Sequence, residues 1–241
     1  MIYRDGMYST RARIGVIAPI DDQVEHAFNK YAPEGVSFNS SRLWFPGPTP
    51  EGLMILSDQL EEAAKMFRKW HHDVILFGCT SGSCLKGYGF DKECIERIER
   101  ASGCQGLTTS TAVLEAYQAL GMNKTVVLTP YPEETNIAEK KFMEDNGLEV
   151  TSITGIGFNR AGEYGHPSKH FLYREAKRLK TEGAEVFFLS CVGLATMELI
   201  QFLEEDLGMP VITSHQASLW ACLRHSRVYD KIPGLGKLFT L

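Results

Sequence analysis

The sequence predicts an α/β fold made of two similar halves, each built around a parallel sheet. Three observations carry that prediction. Short β-branched and aromatic runs alternate with longer amphipathic stretches, the runs are apolar almost throughout, and the pattern recurs about halfway along the 241 residues.

The runs RIGVIAP (13–19), VILFG (74–78), TVVLTP (125–130), LEVTSI (148–153), VFFLS (186–190) and PVITS (210–214) read as strands. Short unbroken apolar runs of this kind fit strands buried on both faces, as a parallel sheet requires. Between them, residues 51–70, 110–121, 133–147, 167–183 and 195–208 have helical periodicity. Several of these stretches end in Gly, the usual residue just past a helix C-terminus. In such a fold ligands gather at the carboxyl ends of the strands.

The recurrence is specific to three pairs of segments. IGVIAPIDDQ (14–23) resembles VVLTPYPEET (126–135), RKWHHDVILFGCTSG (68–82) resembles KRLKTEGAEVFFLSCVG (177–193), and LTTSTAVLEAYQAL (107–120) resembles ITSHQASLWACLRH (212–225). The pairs keep their order and lie a nearly constant distance apart, which implies two halves related by a pseudo-twofold axis. The expected division is 1–118 together with 225–241 for the first half and 119–224 for the second. Cys79 and Cys191 then become equivalent, each at the end of its half's apolar strand.

Composition narrows the function. Hydrophobic residues make up 44% and charged residues 23% of the chain, with a formal net charge of -5. A mildly acidic chain without a Lys/Arg cluster argues against nucleic acid and anionic membrane as partners. No apolar stretch approaches the length of a membrane span, and MIYRDGMYSTRAR lacks the apolar centre of a signal peptide. The expectation is a cytoplasmic enzyme with its six cysteines reduced, and a dimer as the default assembly.

The stretch FGCTSGSC (77–84) concentrates the candidate chemistry. A cysteine directly after a buried strand and ahead of a Ser/Gly-rich turn sits where backbone N–H groups can stabilise a thiolate or bind a carboxylate. For any single cysteine the competing reading is a small buried apolar residue. That reading is kept for Cys84, Cys94, Cys104 and Cys222, while the repeat favours function at Cys79 and Cys191. Thr80, Ser81 and Ser83 add hydroxyls; Ser110 reads as the N-cap of a helix. Tyr131, between Pro130 and Pro132, is placed to present its hydroxyl to the same cleft. The cysteines have no CxxC spacing, and no HExxH, GxGxxG or GxxxxGK[ST] occurs, so neither a metal nor a nucleotide cofactor is expected.

Taken in order, these motifs resemble the aspartate/glutamate racemase superfamily, in the branch of maleate cis-trans isomerases and arylmalonate decarboxylases. The resemblance covers nearly the whole chain: RIGVIAP, SSRLW, TPEG (49–52), CTSGS (79–83), TTSTAVLEAYQALG (108–121), LTPYPEETN (128–136), LSCVGL (189–194), GMPVITS (208–214) and the GLGKLF tail. It implies two Rossmann-like, flavodoxin-like halves with the active site between them, a cofactor-independent reaction on a small carboxylate, and Cys79 and Cys191 as the catalytic pair.

Within that branch three chemistries are open. In racemases such a pair works as base and acid on opposite faces of a carbon beside a carboxylate. In maleate isomerases the first cysteine adds to the alkene, permits rotation and leaves, while the second handles the proton. Arylmalonate decarboxylases resemble this chain at Thr80, Ser81, Tyr131 and Cys191 but have Gly where Cys79 stands, which favours isomerase or racemase here. The resemblance also implies substrate contacts from Val192 and Asn159. It matches Asp22 to an asparagine that in the isomerases donates to a substrate carboxylate. An ionised aspartate there would repel a second carboxylate and would suit an ammonium, amide or hydroxyl.

Overall fold

The computed structural model describes residues 8–20, 24–160 and 162–241. Strands β1 (Ala12–Pro19), β2 (Val36–Leu43), β3 (Val74–Phe77) and β4 (Gly106–Thr108) form one sheet in the spatial order β2-β1-β3-β4. Strands β5 (Lys124–Thr129), β6 (Glu149–Gly155), β7 (Val186–Leu189) and β8 (Val211–Thr213) form the other, in the order β6-β5-β7-β8. Every pairing is parallel. Replacing each strand of the first sheet by its counterpart four strands later reproduces the second, so the sequence repeat is a repeat of topology.

The helices are α1 (Val24–Tyr31), α2 (Pro50–Asp58), α3 (Leu60–Lys65), α4 (Thr80–Cys84), α5 (Phe90–Ser102), α6 (Thr109–Leu120), α7 (Glu133–Asp145), α8 (Lys169–Arg178), α9 (Ile200–Leu207) and α10 (Ser214–His225). Repeat-equivalent helices α6 and α10 pack on one another between the sheets. There Ser218 donates to Thr109 Oγ1 at 3.0 Å, and His225 Nε2 meets the Glu115 carboxylate at 3.0 Å. One apolar core runs through this contact, joining Ile14, Val16 and Leu76 of the first sheet to Val126, Phe187 and Ile212 of the second. A smaller core covers the other face of the first sheet with Leu56, Leu60 and Ile98 from α2, α3 and α5. After α10 the chain ties to both halves: Lys237 N–H donates to Glu204 at 2.9 Å, and Arg11 Nη1 to Asp230 at 2.9 Å.

The expected strands all form, and two more join them. Strand β2 carries Asn39, Ser40 and Ser41 and lies at the sheet edge, half-buried or exposed at every residue but Leu43, so it lacks the apolar run of a buried strand. Strand β4 has only three residues. The stretch 51–70 is not one helix: it breaks at Gln59, whose side-chain amide donates to Ile55 O and Trp44 O, both at 2.8 Å, while its carbonyl accepts from Trp44 N–H. An amide that satisfies the neighbouring strand-to-helix connection competes with helix continuation.

Candidate active site

Strand β3 ends at Phe77, and Gly78 N–H still donates to Ile17 O of β1 at 2.8 Å. The next residue, Cys79, leaves the sheet in extended conformation and caps α4, its sulfur accepting the Gly82 N–H at 3.3 Å. Glycine at 82 leaves room for this contact, because a Cβ there would stand 2.9 Å from the Cys79 sulfur and 3.0 Å from Leu56 Cδ2 and would displace one of them. The Ser83 hydroxyl lies 2.7 Å from both Cys79 O and Ser110 Oγ, and Ser110 Oγ donates to Thr80 O at 3.1 Å. The Ser/Gly-rich turn is therefore a short helix pinned to the start of α6.

The second half repeats the placement with different means. Ser190 N–H donates to Leu128 O at 2.9 Å as β7 ends, and Cys191 follows at φ +91°, in the left-handed region that disfavours a side chain. Its sulfur accepts Gly193 N–H at 3.2 Å, and its own N–H donates to Ser214 Oγ at 2.9 Å. Ser214 in turn accepts from Thr80 Oγ1 at 3.0 Å. One hydroxyl, at the first turn of α10, thus joins the residue after Cys79 to the backbone of Cys191. Each cysteine is 5% exposed, each ends a central strand, and each sulfur receives one backbone N–H.

All six cysteines are free thiols. Burial pushes the thiols of Cys84 and Cys222 well up and that of Cys94 up to about 12, which keeps them protonated and unreactive near neutral pH.

Tyr131, directly after β5 and Pro130, is 1% exposed, and its hydroxyl has no hydrogen-bond partner among the described residues. Burial raises its pKa well above the usual phenol range, and negative charge on Cys191, Glu139, Tyr164 or Cys79 would raise it further. It stays a neutral donor within electrostatic reach of both sulfurs. Its backbone is fixed by Thr129 Oγ1, which accepts Tyr131 N–H at 3.1 Å, and by Asn136, whose amide reaches Tyr131 O at 3.5 Å. Glycine at 155 allows β6 to pass this close, since a Cβ there would meet Tyr131 O at 2.2 Å.

Thr80, Ser81 and Val192 are buried beside the two cysteines in sequence and in the turns just described. Asn159 is exposed; its amide donates to Gly157 O at 3.0 Å and its N–H to Glu163 at 2.9 Å. Asp22 lies outside the described residues. Ser110 is not the cap of its helix. Strand β4 runs straight into α6, so the cap falls on Thr108, whose Oγ1 accepts Thr111 N–H at 3.1 Å, and Ser110 is left to bond α4.

Two residues escaped the sequence reading. Ser214 was legible in principle, because the repeat sets ITSHQ against LTTST and so pairs it with Thr109. Glu139, a fully buried carboxyl on α7 whose Oε1 accepts from the Ser190 hydroxyl, left no such signal.

The arylmalonate decarboxylase family matches residues 14–239. Arylmalonate decarboxylase of Bordetella bronchiseptica is 27% identical over 229 residues, covering 94% of this chain and 95% of that protein. The solved maleate isomerase Iso of Pseudomonas putida superposes with a TM-score of 0.90 at 21% identity, over 95% of this chain and 98% of that one. Maleate cis-trans isomerase of Nocardia farcinica, solved as a cysteine-to-serine mutant with a covalently bound succinylcysteine intermediate, gives a TM-score of 0.90 at 20% identity over the same shares. No helix among the described residues is long and apolar enough to cross a membrane. With a family match spanning both cysteine turns and the same two-sheet fold, the chain belongs to the arylmalonate decarboxylase and maleate isomerase family of enzymes, within the aspartate/glutamate racemase superfamily.

Proposed function

We propose that this protein is a cofactor-independent isomerase of a small carboxylic acid, most like maleate cis-trans isomerase, with Cys79 as nucleophile and Cys191 as acid. The observation that carries the reading is the pair of repeat-equivalent thiols, each at a strand end and each receiving a backbone N–H at its sulfur. An N–H donor stabilises the thiolate over the thiol, and the thiolate is the nucleophile. Tyr131, Ser81 and the backbone after each cysteine supply neutral donors for the substrate carboxylate, and such donors also stabilise charge that develops there during reaction.

The step balances as follows. The Cys79 thiolate gives an electron pair to one alkene carbon and forms a C–S bond, and the alkene pair moves onto the neighbouring carbon beside a carboxylate. Cys191 S–H donates its proton to that carbon. Rotation about the new single bond follows; the Cys191 thiolate then removes the proton, the alkene re-forms and the C–S bond breaks. The succinylcysteine held by the Nocardia farcinica enzyme has the composition of this intermediate.

The test is turnover of a panel of unsaturated diacids and monoacids followed by proton NMR in deuterated water. Cis-trans conversion is expected, with activity lost in C79A; wild-type turnover by C79A would overturn the assignment. Deuterium entering the α-carbon of an amino or hydroxy acid, without alkene chemistry, would instead mark a racemase. The 27% identity to arylmalonate decarboxylase favours a second reading, in which CO2 is released from a malonate and activity depends on Cys191 far more than on Cys79.

A further inference from the structure

Helix α7 turns Thr135, Asn136, Glu139, Phe142 and Met143 inward, a helical stripe in which a carboxylic acid occupies a core position. The other acidic residues of that helix are exposed, whereas Glu139 is 2% exposed. Its Oε1 accepts from the hydroxyl of Ser190, the residue before Cys191, and its Oε2 has no hydrogen-bond partner among the described residues. That carboxyl borders a small space of about 10 Å³, room for one water, whose walls include Thr80, Cys84, Ser110 and Phe188. Glu139 therefore stands behind both cysteine turns, touching the segment of one and sharing a cavity with the segment of the other.

Burial raises the Glu139 carboxyl to about 7, against the Ser190 hydrogen bond, which lowers it. The titratable groups around it are Cys84 on α4, Tyr117 on α6 and Tyr131 after β5, and an ionised Glu139 pushes the pKa of each upward. Among the described residues, no basic side chain lines the shared cavity to offset that charge.

We propose that Glu139 is a positioning residue for the catalytic pair: it holds the Ser190–Cys191 turn through the serine hydroxyl, and its proton sets the charge behind the two thiols. While the carboxyl is neutral, thiolate forms against no buried negative charge. Once it ionises, thiolate formation is opposed. The proposal rests on the reading of Cys79 and Cys191 as reactive thiols and extends it to what controls their ionisation.

The experiment measures iodoacetamide alkylation of Cys79 and Cys191 separately, by peptide mass spectrometry, at pH 6 and pH 8 in the wild type and in E139Q. Glutamine keeps the acceptor for Ser190 and removes the charge. E139Q is expected to match the wild type at pH 6 and to alkylate Cys191 about threefold faster or more at pH 8. The same rate ratio at both pH values would overturn the proposal, because a merely structural role has no reason to depend on pH. S190A supplies the second arm: without its hydrogen bond the carboxyl keeps its proton to higher pH, so the step in Cys191 reactivity moves up. An unmoved step would also overturn the proposal. Neither arm needs a substrate, so the result stands apart from whether the isomerase reading survives.

Discussion

The two cysteine turns occupy equivalent places in the repeat and are held by opposite means. Cys79 has φ -151°, ordinary extended backbone, and is fixed by residues within five positions of itself: Gly82 at its sulfur and Ser83 at its carbonyl. Cys191 has φ +91°; its sulfur is met locally by Gly193 N–H, but its backbone is fixed from far along the chain, by Ser214 on α10 at its N–H and by Glu139 on α7 through Ser190. The Cys79 residue itself is held by its immediate neighbours, and the helix it caps is then tied to α6 through Ser83 and Ser110 and to α10 through Thr80. The second turn is imposed by tertiary contacts, and strain at a non-glycine residue persists only where its surroundings over-determine it. A thiol held this way is sensitive to what happens in α7 and α10.

The largest expected effect that would sharpen this contrast is on stability against pH. Glu139, raised by burial to about 7 from 4.5, favours the folded state below pH 4.5 and loses that contribution as pH rises through 7. His215, next to Ser214 and lowered by burial to about 4 from 6.5, contributes above pH 6.5 and loses it as pH falls through 4. Glu139 bonds the second turn through Ser190, and His215 follows Ser214, which accepts the Cys191 N–H. Between pH 4.5 and 6.5 their slopes oppose, so stability should be flat there and fall on either side. Urea denaturation should find E139Q more stable than the wild type at pH 8 by up to about 3 kcal/mol, and no more stable at pH 4.5. An equal gain at both pH values would break the link between the carboxyl's charge and the second turn.

A middle-sized effect separates the two supporting serines. Removing the Ser214 hydroxyl leaves the buried Cys191 N–H without its acceptor and the Thr80 hydroxyl without its partner. S214A should cost about 1–3 kcal/mol, the penalty of a buried unsatisfied group. S83A should cost less, about 1 kcal/mol, because Cys79 O still accepts Ser83 N–H at 3.1 Å and only the buried Ser110 N–H, which donates to Ser83 Oγ at 3.2 Å, loses its acceptor. Equal losses in thermal denaturation would show that the second turn does not depend on Ser214 more than the first depends on Ser83.

The same contrast explains what the sequence disclosed. Central strands β1, β3, β5 and β7 are buried on nearly every residue, so their apolar runs were legible, and the cysteines that end them came with them. Strand β2 was not, because an edge strand with polar Asn39, Ser40 and Ser41 has no reason to be apolar. Helix α4 was hidden in a Ser/Gly sequence that reads as a turn; it forms because Cys79 caps it and Ser83 and Ser110 tie it down. The place of Tyr131, just past a buried strand, was legible from the prolines that bracket it and the strand before it. Glu139 was not, since helical periodicity alone cannot distinguish an acid packed on a sheet from one in solvent, and only the fold puts it against Ser190. Asn159, expected at the substrate through the resemblance, bonds its own loop.

The smallest effect tests the strain itself. At φ +91° glycine has no Cβ to clash, and relief of a left-handed non-glycine conformation is worth about 1–2 kcal/mol. Against this stand the loss of a buried thiol and the greater freedom of glycine in the unfolded chain, about 0.4–1 kcal/mol. C191G should therefore remain close to wild-type stability while losing its thiol. At Cys79, whose φ of -151° suits any residue, nothing is relieved and the N-cap acceptor for Gly82 is lost. C79G should be less stable than C191G by about 1 kcal/mol or more in urea denaturation. If C191G proves the less stable, the backbone at 191 carries no strain for glycine to relieve, and the two turns are more alike than their dihedral angles indicate.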